Sequence, residues 1–276
     1  MSAIFQAANT AVITGGSSGI GLALAKKCYG YGMKVLVADW DEETLGMASK
    51  NVGGEVSTLK MDVSKIEDWA KLKSKVDAEF KGQISLLALN AGIGTKSSWE
   101  DIGSFHKIID TNLFGVLNGI TTFISSMRAA AAPSAVVITG SKQGITNPPG
   151  NPAYNASKAA VKAAAEHLSY DLRGTPVGVH LLVPGWTFTG LSGNRPGAAK
   201  EKPAGAWWPE QVVDYLEEKM GEGKFYVLCP DNDVTEDLDR KRMLWAVGDA
   251  VEGRPPLTRW REEWKEKHQE WIAKQK

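Results

Sequence analysis

Tyr154 and Lys158 lie four positions apart in Tyr154-Asn155-Ala156-Ser157-Lys158, a spacing that puts a phenol and an ammonium on one face of a helix. A free tyrosine ionises near pH 10, and a cation held beside it favours the phenolate, moving that value toward the working pH where general acid–base catalysis is most effective. Taken alone, the pair reads first as a solvated helix surface, since Tyr and Lys at that spacing are common on helices. A second constellation changes the balance. The apolar run Ala11-Val12-Ile13 ends in Thr14-Gly15-Gly16-Ser17-Ser18-Gly19-Ile20-Gly21, and Leu22-Ala23-Leu24-Ala25-Lys26-Lys27 follows with a helical pattern. Strand, glycine turn and helix in that order bring backbone N–H groups at the positive helix end close to a pyrophosphate, with no side chain in the way.

Lys34-Val35-Leu36-Val37-Ala38 reads as a second strand and ends at Asp39, about 20 residues on, where an acid that binds ribose hydroxyls belongs. Its carboxylate can accept from both hydroxyls and would repel a 2′-phosphate. Trp40 follows it, and Ser17 and Ser18 supply no cation, so the sequence favours NAD over NADP. Asp62, after Val56, Leu59 and Met61, is placed to reach the adenine, with Val63 beside it.

From about residue 9 to about residue 230 these segments resemble the short-chain dehydrogenase/reductase family. The glycine turn is similar to the family's Thr-Gly-x-x-x-Gly-x-Gly, and Asn90-Ala91-Gly92 to its Asn-Ala-Gly. Asn112, in Thr111-Asn112-Leu113-Phe114-Gly115, matches the helix asparagine, and Tyr154 and Lys158 match Tyr-x-x-x-Lys. Gly140-Ser141-Lys142-Gln143-Gly144 aligns with Ser-Ser-x-x-Gly, departing from it by a glycine at the first serine and retaining Ser141. Pro184-Gly185-Trp186-Thr187 matches the segment that holds the nicotinamide carboxamide.

The resemblance implies the roles. Ser141 orients the substrate oxygen, Tyr154 passes the proton, and Lys158 lowers the tyrosine pKa and holds the nicotinamide ribose. Asn112 positions a water that connects Lys158 to solvent, or, read from the residue alone, satisfies a helix kink. Gly15, Ser17, Ser18, Gly19, Ile20, Gly21, Asp39, Asp62, Val63, Asn90, Ala91, Gly92, Pro184, Gly185 and Thr187, with Tyr154 and Lys158, form the expected cofactor site.

The elements that must hold these residues are legible as well. Strands near 11–14, 34–38, 55–61, 84–89, 134–139, 177–183 and 224–228 alternate with helical patterns. That alternation predicts an α/β, doubly wound Rossmann fold, with a seven-stranded parallel sheet, helices on both faces and the site at the carboxyl edge. Long helices are expected around 104–131 and 152–173, and the resemblance implies that they pair with a neighbour's copies in a homodimer or homotetramer. The whole of 1–276 reads as one catalytic domain, with a substrate lid about 187–209 and a C-terminal extension about 231–276. Gly190, Gly193, Pro196, Gly197 and Pro203 punctuate the lid. Trp186, Phe188, Trp207 and Trp208, with Gln143, could line a pocket for an aromatic or bulky alicyclic substrate, or the tryptophans could pack in the core.

The extension carries Trp245, Trp260, Trp264 and Trp271, and the spacing predicts Trp260 and Trp264 on one helix face. It either docks as an amphipathic helix on its own subunit or closes an active site of its own or a neighbouring subunit. Asp231, Asp233, Glu236, Asp237 and Asp239 read as a helix start rather than a calcium cage, and no metal site is expected.

With 276 residues, 43% hydrophobic, and a formal net charge of +0, there is ample material for one large core and no basic face for nucleic acid. Cys28 and Cys229 are far apart and read as buried small hydrophobes in a reducing compartment. No leader-like N-terminus or long apolar run is present, so the sequence predicts a cytoplasmic protein with a small-molecule alcohol or ketone as its partner. NADPH-linked reduction of a biosynthetic carbonyl is the alternative. A catalytically silent nucleotide-binding protein would show a broken Ser/Tyr/Lys set, which is complete here.

Overall fold

Aliphatic runs alternate with helical stretches along the chain, and the computed structural model, which describes residues 3–192 and 201–275, turns that alternation into layers. The strands are β1 (Thr10–Thr14), β2 (Lys34–Asp39), β3 (Ser57–Lys60), β4 (Leu86–Leu89), β5 (Ser134–Thr139), β6 (Val177–Val183) and β7 (Tyr226–Leu228). They form one parallel sheet in the order β3-β2-β1-β4-β5-β6-β7. The chain reverses its direction of growth between β1 and β4, and a doubly wound sheet opens its crevice at that switch point. This is the Rossmann arrangement expected from the sequence, with β3, β4 and β7 each starting two residues later than their apolar runs.

The helices are α1 (Gly19–Gly30), α2 (Glu42–Gly46), α3 (Ala48–Val52), α4 (Ile66–Phe80), α5 (Ile102–Ile109), α6 (Gly115–Ala129), α7 (Gln143–Thr146), α8 (Pro152–Asp171), α9 (Pro209–Gly221), α10 (Glu236–Val251) and α11 (Lys265–Lys274). Successive strand residues face opposite layers. Val12, Leu36, Leu87 and Val136 meet Trp69 and Leu72 of α4, Phe123 of α6 and Val161 of α8. Ile13, Val37, Ala88 and Val137 meet Leu24 of α1 with Val212 and Leu216 of α9. A sheet covered on both faces needs strands that are apolar throughout, which is why β5 is buried along its whole length. Trp69 is fully buried and donates its Nε1–H to the Val63 carbonyl at 2.8 Å. Gly119 makes room for it, since a Cβ there would lie 2.7 Å from the indole.

Two expectations are corrected. The helix read over 104–131 is α5, a π-helical turn at Asp110–Phe114, and α6. The widened turn carries Asn112 inward, fully buried, to the backbone of Ile93: its Nδ2 donates to the Ile93 carbonyl at 3.0 Å and its Oδ1 accepts the Ile93 N–H at 2.8 Å. In the tail, Trp260 and Trp264 do not share a helix. Pro255 and Pro256 withhold backbone donors, Leu257 sits at φ 61, and two short 3₁₀ turns, Thr258–Trp260 and Glu262–Trp264, precede α11. Trp264 and Trp271 instead pack edge-on against Trp245 of α10, with centroids 6.5 and 5.5 Å away. The tail docks on its own chain, with α10 against α7. No helix among the described residues is long and apolar enough to cross a membrane.

Candidate functional site

The loop after β1 folds back on itself. Gly15 and Gly19 take φ +63 and +52, a region glycine enters freely. At Gly21, a Cβ would lie 2.1 Å from the Gly15 carbonyl oxygen and 2.7 Å from Asn90 Nδ2. Ser18, which caps α1, makes no side-chain cap bond, and no acid occupies the first turn. The N–H groups at this end, around Ile20, have no intrahelical partner and point their dipoles at whatever anion approaches. Asn90 clamps the turn: its Nδ2 donates to the Thr14 and Gly15 carbonyls, both at 3.2 Å, and its Oδ1 accepts from Thr139 of β5 at 3.1 Å. Ala91 backs Gly15, and a Cβ on Gly92 would lie 3.3 Å from Asn112 Oδ1 and 3.5 Å from Lys158 Nζ. The Asn90–Gly92 segment thus joins the turn to the Lys158 end of the site.

Asp39, buried at the end of β2, lies beside that turn. Its Oδ2 accepts from the Ser17 N–H at 3.1 Å and the Ser17 hydroxyl at 2.6 Å, and its Oδ1 from the Trp40 N–H at 2.8 Å. Ser17 Oγ also lies 2.7 Å from Thr44 Oγ1, so the hydroxyl can turn to Thr44 and release an acceptor position to a ribose. Trp40 is 70% exposed and brings no charge. Asp62 is exposed, and its Oδ1 accepts from the Ser64 N–H and hydroxyl at 2.9 and 2.7 Å. Val63 is buried, and its carbonyl is taken by Trp69 and Asn118.

β5 delivers Ser141 to the carboxyl edge and α8 delivers Tyr154 and Lys158 to the same place. Ser141 stands close enough to Tyr154 to act on its phenol, and its Oγ accepts the Gln143 N–H at 3.1 Å. Lys158 Nζ lies 5.8 Å from the Tyr154 ring centroid and donates to the Thr139 carbonyl at 2.8 Å. That bond uses one of three ammonium donors. Burial pulls Lys158 down to about 8. Burial pushes the Tyr154 phenol up, against the opposing effect of Ser141. The lowering influence on the phenol is therefore the Ser141 hydroxyl, where the sequence pointed to the Lys158 charge. Asn112 donates further to Ser157 Oγ at 3.1 Å, and Ser157 donates to the Tyr154 carbonyl at 2.7 Å, which ties the π turn to the catalytic helix.

Beyond β6, Pro184, Gly185 and Thr187 cross the same edge, with Thr187 Oγ1 3.2 Å from the Gly185 carbonyl. The two described ends of the expected lid pinch together: Thr187 and Trp207 form a parallel bridge, Phe188 N–H donates to the Trp207 carbonyl at 2.9 Å, and Trp207 N–H to the Trp186 carbonyl at 2.8 Å. Phe188 is buried edge-on against Trp208. Trp207 packs on Tyr215 and the α1/α9 core. Trp186 and Trp208 each remain 47% exposed, and Gln143 is exposed. Gly193, Pro196 and Gly197 lie outside the described residues.

Sequence reasoning missed Leu191, whose side chain lies over Gly94 next to the Tyr154 ring, because a lone leucine in a polar loop gives no signal. It also read Asp231 and Asp239 only as part of a helix start. Thr235 is the cap of α10 and Asp239 does lie in its first turn, but both aspartates also pair with Lys142.

Residues 9–199 match the family model described as short chain dehydrogenase. Over 194 residues the chain is 31% identical to an NADP-dependent (R)-specific alcohol dehydrogenase of Lentilactobacillus kefiri, a match covering 68% of this chain and 77% of that one. A 1-deoxy-11-beta-hydroxypentalenate dehydrogenase of Streptomyces avermitilis is 26% identical over 243 residues, 86% and 90% of the two chains. Among solved structures, a short chain dehydrogenase/reductase from Burkholderia phymatum in complex with NAD superposes with a TM-score of 0.80 at 29% identity, covering 91% of this chain and 96% of that one.

Proposed function

The chain belongs to the short chain dehydrogenase family, and from that premise we propose that it is an NAD-dependent oxidoreductase interconverting a secondary alcohol and a ketone on an aromatic or bulky alicyclic small molecule. The observation that carries the reading is the meeting of Ser141, Tyr154 and Lys158 at the carboxyl edge, beside a glycine turn too tight for any side chain at Gly21. The relatives named as alcohol and hydroxypentalenate dehydrogenases support the reaction class.

The residues fit a dinucleotide. The uncapped start of α1 suits its pyrophosphate, Asp39 its adenosine ribose, and the two remaining Lys158 donors its nicotinamide ribose. When bound, the cofactor supplies the acceptor or donor of a hydride. Ser141 orients the substrate oxygen, and Tyr154 takes the alcohol proton or returns it to the carbonyl. Asn112, with its amide held by Ile93 and Ser157, fixes the loop past which a water can connect Lys158 to solvent. Leu191 beside Tyr154 gives an apolar contact that favours a bulky substrate over a sugar, and the half-exposed Trp186 and Trp208 are the aromatic rings that would extend it.

NAD rather than NADP rests on Asp39, a buried carboxylate that disfavours a 2′-phosphate, while Lys60, its register partner on β3, is ion-paired with Glu42. The NADP-dependent relative from Lentilactobacillus kefiri favours the second reading, NADPH-driven carbonyl reduction. Titrating the protein with NADH and NADPH, followed by energy transfer from its tryptophans, separates the two. Tight NADH and weak NADPH are expected, and Asp39→Ala should bring the affinities together. NADPH binding more tightly than NADH would move the reading to the reductase.

A further inference from the structure

The serine proposed to orient the substrate is followed by a lysine whose partners lie far along the chain. Lys142 caps α7, and its Nζ lies 2.6 Å from Asp239 Oδ2 and 3.3 Å from Asp231 Oδ2. Lys142, Asp231 and Asp239 keep only 14%, 7% and 1% of their side-chain surface in water. The contact to Asp239 is short but off the hydrogen-bond direction, so its strength is coulombic, whereas Asp231 accepts a hydrogen bond. Arg242, 3.6 Å from Asp239 Oδ1, brings the cluster to two cations and two carboxylates.

The cluster grips both loops of the site. Asp231 Oδ2 also accepts the Trp186 N–H at 3.1 Å, and the Lys142 N–H donates to the Pro184 carbonyl at 3.3 Å. A Cβ on Gly185 would lie 2.6 Å from Asp231 Oδ2 and 2.8 Å from Lys142 Nζ, so the Pro184–Trp186 backbone presses directly on the pair. Both carboxylates come from beyond residues 9–199, the stretch that matches the family model. A buried ion pair is weak evidence for stability, because desolvation offsets most of the attraction, but removing one partner strands the other. What this one provides is direction: an ammonium held between two carboxylates fixes the loop that follows Ser141 relative to the loop expected to meet the nicotinamide.

We infer that Lys142, Asp231 and Asp239 are positioning residues, through which the C-terminal extension sets the Ser141 hydroxyl and the Pro184–Thr187 backbone for hydride and proton transfer. The inference rests on the reaction proposed for Ser141, Tyr154 and Lys158. None of the three reaches the reacting atoms, so their effect belongs in kcat more than in cofactor affinity.

The test uses the full-length chain with Lys142→Met, Asp239→Asn, Asp231→Asn and Lys142→Arg. It reads kcat, KM, NADH affinity and amide hydrogen exchange over residues 140–147 and 184–188, with the glycine turn as internal control. Misplacing the serine predicts a kcat loss of about tenfold to a hundredfold in Lys142→Met and Asp239→Asn. NADH affinity should stay within about threefold, exchange should rise in those two loops and not in the glycine turn, and Lys142→Arg should recover most of the rate. Unchanged kcat in a folded Lys142→Met overturns the inference. So does a rise in exchange that includes the glycine turn, which marks general loosening. If Lys142→Met does not fold, Asp231→Asn decides, since it keeps the shape and an acceptor for the Trp186 N–H, and a wild-type kcat there overturns the inference. Should the wild type turn over no alcohol or ketone with either dinucleotide, the reaction reading fails, while exchange in the two loops still decides whether the cluster positions them.

Discussion

Lys158 carries the clearest burial cost in the site, because its ammonium is buried, donates to the Thr139 carbonyl and is pulled down to about 8 from the ordinary lysine value of 10.5. Between those two values the unfolded chain binds a proton that the folded chain has released, so this group's contribution to stability rises with pH across that window. Below about pH 8 both states are protonated and the folded chain bears the whole burial cost. Lys158→Met, similar in length and uncharged, should therefore be more stable than wild type at pH 7 by about 2 kcal/mol after the lost Thr139 bond is allowed for. The gain should shrink as pH rises through the window. Urea denaturation at pH 7 and pH 10 checks both parts, and equal stabilities at pH 7 would mean the ammonium is better solvated than its surroundings indicate. Residues of this kind were legible in the sequence because their chemistry is local: Tyr154 and Lys158 share one helix face, and Asp39 ends a strand. The direction of the Tyr154 shift was not legible, since it depends on burial and on Ser141, which reaches it from another element.

At the scale of elements, the glycine turn is the feature whose spacing, read with the strands and helix around it, foretold its geometry. Gly21→Ala would set a methyl 2.1 Å from the Gly15 carbonyl oxygen, and the turn must open to accept it. A destabilisation of about 2 kcal/mol is expected, with NADH affinity falling at least tenfold because the N–H groups of α1 are displaced. Denaturation and fluorescence titration measure the two effects, and undiminished NADH binding would place the pyrophosphate elsewhere. The strands were legible because burial on both faces makes each an unbroken apolar run. The π turn was legible only as the alternative of a kink at Asn112, since its cause is a hydrogen bond between Asn112 and Ile93, and nothing in the periodicity of 104–131 records a partner 19 residues away. The Trp260/Trp264 spacing pointed to a helix for an ordinary reason, and Pro255, Pro256 and the attraction of Trp264 to Trp245 overrode it.

For the whole molecule, the parallel, doubly wound sheet was readable, but the attachment of the tail was not: Lys142 meets Asp231 across 89 positions, and no local pattern marks either residue. The tail has two parts with separate consequences. α10 presses on α7 and holds Asp239, while the segment after it wraps Trp245 with Trp264, Trp271 and His268. Removing residues 262–276 uncovers Trp245 and should lower the melting temperature by several degrees, on the scale of a few kcal/mol for a chain of this size. It leaves the Lys142 cluster in place, so kcat should stay within about threefold of wild type. Calorimetry with steady-state kinetics checks this, and a collapse of kcat without a change in melting temperature would place the last helix in the site itself.

The most direct measurement for the central claim is the appearance of reduced nicotinamide when the purified protein is given NAD and a panel of aryl and alicyclic secondary alcohols, beside Tyr154→Phe. The wild type should reduce NAD with at least one such alcohol, and Tyr154→Phe should lose turnover by at least about a hundredfold while binding NADH as before. Turnover retained by Tyr154→Phe would contradict the proton role assigned to that phenol.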